Sequence, residues 1–201
     1  MIRIPADPAS SARRGRVAAL APARGVTLIE LMVTLAIVGI IAALGAPSFM
    51  HALARRAIAA QAEELQDAVR VGRNEAMKRS APVVLCRTEA TSNNQCAGNG
   101  GSWQTWLLFA DVDRNGTFNA GDALVRQHLD ASGRMTVTSP AASIRFEATG
   151  IAHSDAGAVT FMLSPAGASS DPGGSDRALQ RQVCVNPRGE VAVIAGDATC
   201  P

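Results

Sequence analysis

The sequence lacks the motifs that announce a metal centre or an active site. No two of its four cysteines are spaced Cys-x-x-Cys, and none stands with a histidine at zinc-ligand spacing, which argues against a zinc or thiol-redox centre. There is no nucleophile turn of the Gly-x-Ser-x-Gly kind and no Walker loop, and His51, His128 and His153 stand far apart in the chain. The glycine-rich stretch Gly98-Asn99-Gly100-Gly101 does not open a helix, so it reads as a loop and not as a phosphate cradle. Tyrosine is absent and Trp103 and Trp106 are the only tryptophans, yet apolar residues are plentiful enough for a core.

A strong charge of one sign is missing too. The formal net charge is +2, but Arg3, Arg13, Arg14, Arg16 and Arg24 crowd the first 25 residues against Asp7 alone. The remainder is slightly acidic, so a broad basic surface for nucleic acid is not expected.

The longest absence organises the chain. From Leu31 to Met50 there is no charged side chain for twenty residues. As a helix that run reaches ~30 Å, the thickness of a bilayer's hydrocarbon core. One carboxylate, Glu30, sits at its mouth, where a charge at the edge of lipid is costly and marks a function. Basic residues before such a run stay cytoplasmic, which puts the domain after Met50 outside the inner membrane. Disulfides are permitted there. Cys86, Cys96, Cys184 and Cys200 allow three pairings, of which the local pairs Cys86 with Cys96 and Cys184 with Cys200 are the simplest.

Residues 1–25 read as a processed Ala/Arg-rich leader, and a start at Val17 would leave a short basic leader of the same character. A signal peptide cut near Ala46 is the rival reading, but it has no use for Glu30 and its apolar segment is shorter. Pro47 predicts a kink near 45–47, since proline removes one backbone hydrogen bond and crowds the preceding turn. Beyond it Ile58, Ala62, Leu65, Val69, Gly72 and Ala76 recur at steps of four and three, one apolar stripe. Arg55, Arg56, Glu63, Glu64, Asp67, Arg70, Arg73 and Glu75 are expected to be solvated. The pattern predicts one helix over 26–79, with 26–50 in the membrane and 51–80 amphipathic.

Pro82 ends it, and 81–201 reads as a β-domain. Strands are predicted at Val83–Arg87, Trp103–Ala110, Leu124–Leu129, Met135–Thr138, Ile144–Ala148, Val159–Leu163, Gln182–Val185 and Glu190–Ile194. Asn186-Pro187-Arg188-Gly189 predicts a type I turn, and 97–102 and 166–176 predict loops. The fold class is α+β: a long N-terminal transmembrane and scaffold helix packed on a small antiparallel β-domain.

Gly25-Val26-Thr27-Leu28-Ile29-Glu30-Leu31-Met32 resembles the leader junction of type IV pilins and pseudopilins. The later stretches Arg73-Asn74-Glu75-Ala76, Val83 to Cys86, Trp106-Leu107-Leu108-Phe109 and Asp111-x-Asp113-x-Asn115-Gly116 resemble the GspH minor pseudopilins of type II secretion and their FimT-like pilus relatives. The resemblance spans 24 to about 197 and implies a lollipop-shaped, non-enzymatic structural subunit without cofactor. It implies cleavage by prepilin peptidase between Gly25 and Val26, methylation of the new Val26 amino terminus, a place in the inner membrane, and assembly with other pilins through the N-terminal helix. Val26 departs from the phenylalanine common in the family. Cleavage would free an ammonium four residues before Glu30, and a carboxylate left unpaired in an apolar filament core would cost several kcal/mol, so pairing there favours one register.

Two finer features concern the outer domain. Asp111, Asp113, Asn115, Gly116 and Asp122 fit the spacing of a twelve-residue calcium loop, but strands are predicted on both sides where an EF-hand has helices. A polar hairpin loop is therefore the favoured reading, and no metal is assigned. DNA capture, an alternative function for a FimT-like pilin, is tied in such proteins to a Gly-Arg-x-Arg stretch. Here Gly189-Glu190-Val191-Ala192 stands instead, and Arg177, Arg181 and Arg188 are the remaining candidates for a small basic patch.

Overall fold

The computed structural model describes residues 25–89, 92–129, 133–168 and 178–201, without the side chains of 46, 47, 92 and 93. The leader 1–24, Arg177 and most of the 166–176 loop lie outside the described residues. The chain divides into two compact units, 1–45 and 46–201.

The first unit contains the start of helix α1 (Leu28–Arg79). The helix begins two residues later than the expected Val26. Thr27 is its N-cap: the Thr27 hydroxyl oxygen accepts from the Glu30 amide at 3.3 Å, and the Leu31 amide donates to the Thr27 carbonyl at 3.1 Å. Thr27 and Glu30 thus stand at the ends of a Thr-x-x-Glu capping sequence. Residues Leu28–Gly45 are apolar and long enough to cross a membrane. The kink expected at 45–47 falls where the two units divide.

Within the second unit α1 supplies the core's spine. Ile58, Ala62, Leu65, Val69, Gly72 and Ala76 are buried, and Gln61 and Ala68 widen the stripe. Gly72 matters because of what faces it: a Cβ there would stand 2.8 Å from Phe146 Cε2 and 3.0 Å from Leu108 Cδ1. The helix closes with Ser80 in the left-handed conformation (φ 52°) and the Ala81 amide bonded to the Ala76 carbonyl at 3.3 Å, a Schellman ending just before Pro82.

Eleven described strands follow: β1 (Val83–Glu89), β2 (Ser92–Cys96), β3 (Gly101–Ser102), β4 (Thr105–Ala110), β5 (Ala123–Leu129), β6 (Met135–Ser139), β7 (Ser143–Phe146), β8 (Ala152–His153), β9 (Val159–Pro165), β10 (Arg181–Val185) and β11 (Val191–Ala195). They form two antiparallel sheets, β5-β4-β1-β7-β8 with β2 added to β1, and β11-β10-β9-β6-β3. Strands β1 and β4 are buried on both faces. Alternation sends Val83, Leu85, Trp106 and Leu108 into the core shared with α1. Val84, Cys86, Leu107 and Phe109 point the other way and are covered by Cys96 and Phe118.

Several expectations need correction. Trp103 does not belong to β4. Its amide donates to the Val137 carbonyl at 2.7 Å, its indole N–H to the Ala141 carbonyl at 2.9 Å, and its ring meets Phe161 edge-on at 4.8 Å, so it serves the second sheet. The 97–102 loop contains β3, and β2 and β8 lie outside every expected strand. Glu64, Arg73 and Glu75 are half-buried, not solvated. At 186–189 the Gly189 amide reaches the Asn186 carbonyl at 2.9 Å with Gly189 at φ 73°, a tight turn that ends in a left-handed glycine.

Candidate functional site

The N-terminal junction is built from Gly25 to Glu30. Gly25 and Val26 precede the helix and are exposed, so in the uncut chain the Val26 amide nitrogen is not part of the first turn. Glu30 lies in that turn, where the helix dipole favours its charge. Its carboxylate has no bonding partner among the described residues. Thr27 was not singled out in the sequence, though the Thr-x-x-Glu spacing carries the signal.

The loop between β4 and β5 brings Asp111, Asp113 and Asp122 together, with one carboxylate oxygen of each within 4.8 Å of the others. Asp111 is fully buried and accepts from the Asn115 and Gly116 amides, both at 3.0 Å. Asp122 accepts from the Val112 and Asn119 amides at 2.9 Å. Asp113 accepts from the Asn119 side-chain amide at 2.8 Å and the Asn115 one at 2.7 Å. The Asn119 bond first, and a further bond from the Asn115 backbone amide at 3.2 Å, hold the Asp113 carboxyl below the usual aspartate range. Phe118 then seats on Phe109 with ring centroids 5.2 Å apart. The loop is flanked by strands, and its carboxylates already serve its own N–H groups, which is the work of a hydrogen-bonded hairpin loop.

Cys86 is joined to Cys96 with Cα atoms 5.5 Å apart, and Cys184 to Cys200 with Cα atoms 5.7 Å apart. The first ties β2 over the outer face of β1. The second pins the C-terminus to β10. Closing loops of about 15 residues stabilises a fold by ~3 kcal/mol in the chain-entropy account.

Of the arginine candidates, the two described ones, Arg181 and Arg188, stand at opposite ends of β10. Arg181 starts β10 and donates to the Gln180 carbonyl at 2.8 Å, whereas Arg188 sits in the turn beyond the other end of that strand. Glu190, beside that turn, accepts from the Asn186 side-chain amide at 2.8 Å. A compact phosphate-binding patch is not assembled from Arg181 and Arg188.

One cluster was missed. Glu64 of α1 meets His128 Nδ1 at 2.9 Å and Arg126 at 3.5 Å, Gln61 meets His128 Nε2 at 3.3 Å, and the His128 ring stacks on Trp106 at 5.4 Å. It clasps edge strand β5 to the helix. Glu64 borders the apolar stripe, the one sequence sign of this role.

A family model described as Prokaryotic N-terminal methylation motif matches residues 20–46. A second, described as Type II transport protein GspH, matches residues 61–189, more than half of the chain. Among solved structures, the type IV minor pilin FimU of Pseudomonas aeruginosa PAO1 in space group P21 is similar in fold: TM-score 0.51 at 16% identity, over 72% of this chain and 92% of that one. The same pilin in space group P65 gives a TM-score of 0.46 at 16% identity, over 68% and 92%. No curated protein matches in sequence. With the methylation motif leading into an apolar helix, and the GspH match covering that helix from residue 61 and the β-domain as far as Gly189, the chain belongs to the GspH family.

Proposed function

We propose that this chain is a minor structural subunit of a type IV pilus or a type II secretion pseudopilus, held in the inner membrane by the apolar half of its helix, 26–50, with the domain after Met50 in the periplasm. Prepilin peptidase cuts between Gly25 and Val26 and methylates Val26, and the subunit then joins other pilins through its N-terminal helix. The observation that carries this reading is the order of parts on one chain: a methylation motif at 20–46, an apolar span, and a GspH-matching domain at 61–189.

Glu30 has a definite task in this reading. Its carboxylate lacks a partner among the described residues, and in an apolar filament it would need one. The ammonium freed at Val26, in the same chain or in a neighbour, supplies it. Both disulfides fit an oxidising periplasm.

The test is the mature amino terminus. Co-expression with prepilin peptidase should yield a protein that begins at N-methylated Val26, and Gly25→Leu should leave the leader attached. A mature protein that begins elsewhere, or processing of the Gly25→Leu chain at the same bond, would overturn the reading.

A further inference from the structure

We propose that Ser48, His51 and Arg55 form a binding site for the headgroup of an anionic phospholipid; the proposal rests on the reading that the apolar half of α1 spans a membrane. The three side chains recur at steps of three and four, so they share one face of α1. With Ala52 and Leu179 they line a cavity of ≈ 430 Å³ in the second unit. All three are exposed. A hydroxyl, an imidazole N–H and a guanidinium are donors suited to a phosphodiester, and the guanidinium can hold two of its oxygens at once.

Position and charge point to lipid. Ser48 lies in the last three residues of the uncharged run that ends at Met50, His51 follows that run directly, and Arg55 lies five residues past it. Along a helix Arg55 is then ~8 Å beyond the run, within reach of the headgroup layer and the water just above it. Between 46 and 62 the ionisable side chains are His51, Arg55 and Arg56, and the first acid is Glu63. Mixed charge begins only there. Phe49, Met50 and Leu53 are exposed among these basic residues, an apolar and cationic mixture that suits a membrane interface. On an adjoining part of the same turns, Met50, Leu53, Ala57 and Ile58 with Met135 and Pro165 line a largely apolar groove of ≈ 400 Å³ that Arg134 also borders. A polar cavity beside an apolar groove matches an amphiphile better than it matches a free anion.

The test uses the full chain in a nonionic detergent, with unfolding followed by Trp103 and Trp106 fluorescence. Short-chain phosphatidylglycerol should raise the melting temperature, by about 3–6 °C for each tenfold excess over its dissociation constant. Short-chain phosphatidylcholine and inorganic phosphate should leave it in place. The double variant His51→Gln/Arg55→Gln should melt with the parent in detergent alone and lose the response, whereas Arg70→Gln, further along the helix, should keep it. An equal shift from phosphatidylcholine or from inorganic phosphate, or an unchanged response in the double variant, overturns the site. Carbonate extraction of membranes tests the spanning reading separately. A chain that is retained but deaf to phosphatidylglycerol overturns this inference alone, and a chain that is extracted overturns the spanning reading as well.

Discussion

Gly72 of α1 lies against the ring of Phe146 so closely that a Cβ at position 72 would stand 2.8 Å from Cε2 and 2.9 Å from Cδ2. Helix and first sheet approach each other at this point because one residue has no side chain. Phe146 is fully buried and has no room to give way. Gly72→Ala gains up to ~1 kcal/mol of helix propensity. It should nevertheless destabilise the protein by ~1–2 kcal/mol net, since overpacking a filled core costs ~1–3 kcal/mol. Urea denaturation of the disulfide-intact chain checks the sign, and a gain in stability would refute the close packing.

The buried Asp111 organises the β4–β5 loop through the Asn115 and Gly116 amides. Asp111→Ala takes the acceptor from the Gly116 amide and leaves the Asn115 amide only the Asp113 carboxylate at 3.2 Å; a donor left unsatisfied costs ~1–3 kcal/mol. A loss of about 1–3 kcal/mol is expected, and Asp111→Asn, which keeps one carbonyl acceptor, should lose less. Equilibrium denaturation of the two variants checks the order.

Asp113 makes the same loop sensitive to acid. Hydrogen bonds from the Asn119 side chain and the Asn115 backbone amide favour its charged form, so its carboxyl titrates lower in the folded chain than in the unfolded one. The unfolded state then binds more protons in that window. The contribution is therefore complete above the ordinary aspartate value of ~3.9 and fades as pH falls below it. Asp113→Asn should weaken the protein at neutral pH and flatten part of the loss below pH ~4. Denaturation midpoints across that range are the measurement.

At the junction, Glu30 and Gly25 should separate in function. Glu30→Ala keeps the Thr27 cap, because the bond there uses the Glu30 backbone amide. Leader removal should continue, while incorporation into filaments should fall; a subunit whose docking weakens by ~1.4 kcal/mol is recruited about tenfold less well. Immunoblots of the processed band and of sheared filaments read the two steps independently. Undiminished incorporation would remove the pairing role of Glu30.

Periodicity alone revealed the helix and its buried face. Every stripe residue expected from Ile58 to Ala76 is buried, because spacing on a helix decides which side chains share a face before any partner is known. The eight expected strands each overlap an observed one for the same kind of reason, being long enough to show their apolar pattern between turn residues. The junction at Gly25 and the uncharged run to Met50 needed no folding to be seen.

Tertiary structure decided what local pattern does not encode. Strands β3 and β8 are two residues long, too short to show any period, and exist through hydrogen bonds to β6 and β7. Trp103 passed to the second sheet because Val137 and Ala141, more than thirty residues away, take its two N–H groups. Glu64 looked like solvated helix surface until His128 and Arg126 met it from edge strand β5. The sequence by itself determined which segments are helical and apolar, since those properties reside in neighbouring residues. Which sheet a short strand joins and which charge is half-buried depend on contacts between distant residues, and only the folded chain brings those together.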